Sequence, residues 1–184
     1  LECNFVCELK LPSKLRVIGV GAFRSCKGLY GELHIPESVQ QIGEGAFCDL
    51  PNMSGSIEIP QSVTAIPDNC FSSSGFNGNL RLHDGITTIG SNAFSLTPLK
   101  GELNLPKDLI VISEGAFYSC DFSGELILPK NVRGIGDKAF AYNWRLMGVL
   151  DFPEGVLSIG AGAFAQCRSI EGLVFPESLE SIRY

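Results

Sequence analysis

At 184 residues and 45% hydrophobic content, the chain carries ample apolar material for a folded core. Its net charge of −6 and pI near 4.9 argue against a nucleic-acid partner, which needs a basic stripe to displace counterions. No apolar run reaches the length of a membrane-crossing helix, so no membrane insertion is expected of this segment.

From the N-terminus onward, the predicted elements are copies of a single unit. Each unit opens on an alternation of apolar and polar residues, such as Gly101-Glu102-Leu103-Asn104-Leu105, which predicts a half-buried strand. The inward pairs are Leu9/Leu11, Leu33/Ile35, Ile57/Ile59, Leu80/Leu82, Leu103/Leu105, Leu126/Leu128, Leu150/Phe152 and Leu173/Phe175, one short strand for each of eight repeats. A proline then ends most strands, because it cannot donate to a ladder; His83 holds that place in the fourth. A Val-x-x-Ile step follows, as in Val39 with Ile42. The glycine after it (Gly43, Gly90, Gly136, Gly160) predicts a turn through positive φ. The unit closes on Ala-Phe-x-x-Cys, which is too short for a full helix and suits a brief α or 3-10 turn.

The phenylalanine of that closing segment sets the period. It recurs at Phe23, Phe47, Phe71, Phe94, Phe117, Phe140 and Phe164, at spacings of 24, 24, 23, 23, 23 and 24 residues. Alanine precedes six of the seven, and Cys70 fills the place in the other. Such a period marks a stacked solenoid, in which no unit buries its apolar face alone. The whole chain, 1–184, therefore reads as one β-rich solenoid of parallel strands and short turns. It is expected to be cut within a repeat at both ends, as a piece of a longer protein whose uncapped ends could associate end to end.

Seven cysteines invite a disulfide framework, but Cys3, Cys26, Cys120 and Cys167 share one column, three residues after the phenylalanine. Leu50, Ser74, Thr97 and Asn143 fill the same column elsewhere, so the reading is of small core side chains with free thiols. The best pair for a bridge is Cys3 with Cys26, in adjacent repeats.

With these columns aligned, the chain resembles the BspA-type (Treponema pallidum type) leucine-rich repeats. The resemblance rests on His34-Ile35-Pro36, Val39-Gln40-Gln41-Ile42-Gly43 and Ala116-Phe117-Tyr118-Ser119-Cys120, and it recurs in every unit. Leu50, Ser74, Thr97 and Asn143 depart from the family's cysteine, and some units carry one extra residue. The resemblance implies a leucine-rich-repeat solenoid in a secreted or cell-surface protein of gut or oral bacteria or parasitic protists. It also implies an adhesin-like role toward host proteins or neighbouring cells.

Function has to lie in the columns that break the pattern. The two outward positions of the strand run Glu8, Glu32, Ser56, Asn79, Glu102, Glu125, Val149, Gly172 and Lys10, His34, Glu58, Arg81, Asn104, Ile127, Asp151, Val174. Glu102 and Glu125 are expected side by side on neighbouring strands, with Glu8 and Glu32 repeating the arrangement. Such a stripe either awaits a basic partner or cation, or is a solvated face that resists aggregation. Ile127, Val149 and Val174 add apolar character. Tyr118, Tyr142, Trp144 and Arg145 follow the phenylalanine, either as a contact surface or as rings packed along the loop edge.

Nothing here composes a catalytic, cofactor or metal site. Glycosidase chemistry needs two carboxylates in different environments, which a repeated glutamate on an open sheet does not provide. His34 and His83 lie in different columns about two repeats apart. Gly19-x-Gly21 arises from the repeat's own turn, and Asn52-Met53-Ser54 is a glycosylation acceptor only in a eukaryotic secretory host. The reading is of a non-enzymatic interaction protein without cofactors, holding a protein or a glycan. A glycan module using Tyr118, Tyr142 and Trp144, or a structural spacer for another domain, are the alternatives.

Overall fold

The computed structural model describes Cys3 and residues 5–183; Leu1 and Tyr184, where the sequence places the two cuts, lie outside the described residues. The chain forms a solenoid of about eight turns built from parallel strands. Among the described residues there are seventeen strands rather than eight, because each repeat contributes to two ladders. One ladder, broken into three short sheets among the described residues, holds the strands that open each unit, including Leu29–Glu32, Asp121–Glu125, Arg145–Asp151 and Ser169–Val174. The other runs through the Val-x-x-Ile steps, with six two-residue strands from Ala65–Ile66 to Ser181–Ile182 paired in sequence order. No helix of the described residues is long and apolar enough to cross a membrane.

A third seam replaces the expected helical turn. The Ala-Phe segment is a series of tight turns, and no helix occurs among the described residues. Residues two before and two after the phenylalanine adopt positive φ in every repeat, as at Gly21 and Ser25 or Gly115 and Ser119. These reversals aim alternate N–H groups along the stack. The Phe23, Phe47, Phe71, Phe94, Phe117 and Phe140 amides each donate to the carbonyl that precedes the next repeat's phenylalanine, at 2.8–2.9 Å. The backbone polar groups of a short buried turn are thus satisfied by the neighbouring repeat.

The rings themselves stack. Consecutive phenylalanines lie 5.2–5.6 Å apart between centroids, with planes within 16° of parallel. Phe76, Phe122 and Phe152 meet this column edge-on. Phe47, Phe71, Phe94, Phe117 and Phe140 are fully buried, each worth roughly 1.5–3 kcal/mol in transfer alone.

Two expectations change here. Gly43, Gly90, Gly136 and Gly160 do not turn through positive φ. They are glycines because a Cβ would collide with the preceding repeat's backbone: Val20 for Gly43, Asp68 for Gly90, Glu114 for Gly136 and Asp137 for Gly160. The cysteine column, in turn, is not merely apolar. Its side chains donate to the carbonyl of the preceding repeat's phenylalanine: Ser74 to Phe47, Thr97 to Phe71, Cys120 to Phe94, Asn143 to Phe117 and Cys167 to Phe140, at 2.7–3.2 Å. Serine, threonine, asparagine and cysteine share that donor, which explains why they interchange. Leu50 has none; its amide instead donates to Ser74 Oγ.

Truncating Phe94 to alanine should cost about 3–5 kcal/mol, read by chemical denaturation; an unchanged midpoint would contradict the packing described. Thr97→Val should cost about 1–3 kcal/mol through the unpaired Phe71 carbonyl, whereas Thr97→Ser should recover most of it. Equal losses in the two variants would place the effect in packing instead.

Candidate functional site

The outward face of the opening-strand ladder is the most distinctive surface of the molecule. Its geometry starts at the glycine that precedes the first outward residue of the strand in five of the repeats. Gly31, Gly55, Gly101, Gly124 and Gly148 hold φ between +79° and +94°, and the ladder shifts register at Gly148. The irregularity is explicit between Gly148 and Val149, where pairing jumps from Gly148↔Ile170 to Val149↔Gly172. Consequently the glutamates do not face one another. Glu8 pairs with Tyr30, Glu32 with Ser54 and Glu125 with Met147. Each glutamate leans over the next repeat's glycine: a Cβ built on Gly55 lies 2.8 Å from Glu32 Cγ, one on Gly124 3.3 Å from Glu102 Cγ, and one on Gly148 3.1 Å from Glu125 Cγ.

Glu102 and Glu125 nevertheless line one groove of about 450 Å³, together with Leu103, Asn104, Leu105, Lys107, Ile127 and Pro129. A second groove of about 440 Å³ shares Ile127 and adds Val149 and Asp151. Ile127 is 74% exposed and Val149 58%, while Leu126 and Leu150 point into the core. Glu32 lies three repeats away and joins neither groove.

Met147 belongs to the same face, 49% exposed and opposite Glu125, and the sequence reading missed it. The strand Arg145–Asp151 starts four residues before the expected Val149, on the other side of the bulge. Alternation of Arg145, Met147 and Val149 with buried Leu146 and Leu150 was the available signal, broken by Gly148.

The face is electrostatically uneven. In its N-terminal half, Glu8 pairs with Lys10 at 2.8 Å and Glu58 with Arg81 at 3.7 Å. Lys107 lies at the rim of the groove but is held by Asp84 at 2.7 Å, a contact that keeps the Asp84 carboxyl below and the Lys107 ammonium above their ordinary values. Arg145 pairs with Asp121 at 3.3 Å. Among the described residues, Glu102 and Glu125 have no such cation.

The aromatic candidates form a separate set. Tyr118 and Tyr142 meet edge-to-face at 5.4 Å across adjacent repeats, and Tyr142 sits at the positive-φ position two after its phenylalanine. Trp144 is 58% exposed, and its carbonyl accepts a hydrogen bond from Ser169 Oγ. His34 is exposed, whereas the His83 Nε2–H donates to the Val63 carbonyl at 3.0 Å, tying down the turn where proline is missing. No group of three or more metal-ligating side chains is gathered among the described residues.

The family pattern for the BspA type leucine rich repeat region matches this chain in six copies, over residues 2–123 and 101–184, and the chain belongs to that family of repeat proteins. Among solved structures it is similar to a leucine rich cell surface protein from Faecalibacterium prausnitzii, with a TM-score of 0.63 and 18% identity over 92% of this chain. The chain spans 59% of that protein's length. Leucine-rich repeat proteins from Bacteroides ovatus and Eubacterium ventriosum also match, at 21% and 14% identity over 94% and 96% of this chain. They cover 67% and 80% of those chains, with TM-scores of 0.39 and 0.37. A comparison with curated proteins finds no match.

The cysteines belong to the scaffold. Cys3, Cys26 and the other five are free thiols. Burial, then the neighbouring Cys3, raises the Cys26 thiol; burial pushes Cys167 up to about 11 and holds Cys120 well above the ordinary range, and burial with the neighbouring Cys48 does the same for Cys70. Exposed Cys7 should therefore react with a thiol reagent in the native protein, and Cys70 and Cys120 only on unfolding. The folded state keeps these thiols protonated while the unfolded chain ionises above 9.0, so stability should fall as pH rises from there toward 11. Native labelling of all seven, or a flat stability profile over that range, would contradict this burial.

Proposed function

We propose that the chain is a non-enzymatic interaction module of a secreted or cell-surface protein, binding a macromolecular partner on its opening-strand face. The observation that carries this reading is the cluster of exposed Ile127, Met147 and Val149 on one face, beside two glutamates that have no ion pair among the described residues. Met147 and Val149 stand on a strand and Ile127 just past one, each beside leucines buried in the core, so the surface is organised before any partner arrives, and little ordering entropy opposes binding. Grouped apolar side chains in a face otherwise occupied by polar ones are the mark of a contact patch. The family membership and the description of the Faecalibacterium protein as a cell surface protein support the location.

A glycan partner is the second reading, favoured by the exposure of Trp144 beside Tyr142 and Tyr118. Arrays of immobilised extracellular proteins and glycans separate the two. Under the first reading, Ile127→Lys and Val149→Lys each lower protein binding by about tenfold or more, and Trp144→Ala leaves it unchanged. Glycan binding lost in Trp144→Ala and kept in the two lysine variants would move the function to the aromatic edge.

A further inference from the structure

We propose that the opening-strand face accepts an extended peptide segment in which a lysine or arginine and an aliphatic residue stand two positions apart. This rests on the strand-face reading above and names its partner. Glu125 ends the strand Asp121–Glu125 and Ile127 follows it with the in-and-out alternation unbroken, so the two are outward neighbours two residues and about 6.6 Å apart. An extended partner running along that strand repeats the same spacing on its inner face. A cationic side chain then meets Glu125 where an aliphatic one meets Ile127.

Three features of the groove select that chemistry. Glu102 extends over Gly124, the residue just before Glu125, so two carboxylates flank a single position. The repulsion between them is relieved by one cation, which the molecule itself withholds: Lys107 is engaged by Asp84, and Arg145 by Asp121. Elsewhere on the face, Glu8 and Glu58 are neutralised by Lys10 and Arg81, and Glu32, unpaired among the described residues, stands three repeats from this groove, so the exposed aliphatic side chains adjoin the two carboxylates of Glu102 and Glu125. The methylene stem of a lysine or arginine lies over Leu105 and Ile127 while its head reaches the carboxylates, a split that an acidic or neutral partner cannot reproduce. The neighbouring groove, with Val149 beside Ile127, continues the aliphatic track onto the next repeat.

The test uses a short peptide repeating Lys-Ser-Val-Ser, with a control carrying glutamate for lysine, titrated against the intact chain by fluorescence anisotropy. The lysine peptide should bind about tenfold or more tightly than the control. That preference should vanish in the double variant Glu102→Gln/Glu125→Gln, and at about 1 M salt, where charges are screened within roughly 3 Å. Equal binding of the two peptides, no binding of either, or a preference that survives in the double variant would overturn the proposal. If Ile127→Ser abolishes binding of both peptides while the glutamate variant behaves as the parent, the strand face remains the binding surface and only the cationic partner is wrong. Circular dichroism melting of each variant checks that the stack is intact.

Discussion

The structure depends on one repeated contact, the phenylalanine of each repeat lying flat on that of the next while its amide donates to the neighbouring carbonyl. Ring stacking and the backbone bond act at the same residue and along the same axis. Together they set both the rise and the rotation of the solenoid. Stacked rings add about 0.5–1.5 kcal/mol per pair beyond their burial, and the hydrogen bond removes the cost of a buried unpaired donor. The donor column three residues later satisfies the phenylalanine carbonyl from the other side. With the interior fixed in this way, the outward columns contribute little to the core packing.

That division explains where a partner can be held. Polar outward residues dominate the N-terminal half of the strand face, where Glu8 and Glu58 are each paired with a cation and Glu32 stands apart from any exposed aliphatic cluster. At Glu102 and Glu125 two carboxylates without an ion pair among the described residues share a groove, and aliphatic side chains appear beside them at Ile127, Met147 and Val149. The positive-φ glycine that opens these strands matters to this arrangement. It lets a glutamate lie across the next repeat rather than face its counterpart, so two carboxylates can share a groove without standing directly opposed.

The period, the strand alternation and the burial of the Leu, Ile and Phe columns were legible in the sequence, because each follows from spacing alone. The second ladder was hidden, since Val-x-x-Ile pairs by only two residues and shows no alternation. Gly43 and Gly136 were misassigned because sequence does not separate a glycine needed for positive φ from one needed for close backbone approach. The donor role of the cysteine column could have been read from its substitutes Ser74, Thr97 and Asn143, all of which carry a hydrogen to give. Ile127 and Val149 stood out as pattern breakers, but Met147 did not, because the bulge at Gly148 interrupts the alternation that would have exposed it.

Hydrogen exchange at single-amide resolution is the most direct test of the central claim that the phenylalanine seam holds the stack in register. The amides of Phe47, Phe71, Phe94, Phe117 and Phe140 should be among the slowest in the protein, opening only with the repeats around them. Exchange at these five as fast as at exposed turn amides would contradict the account.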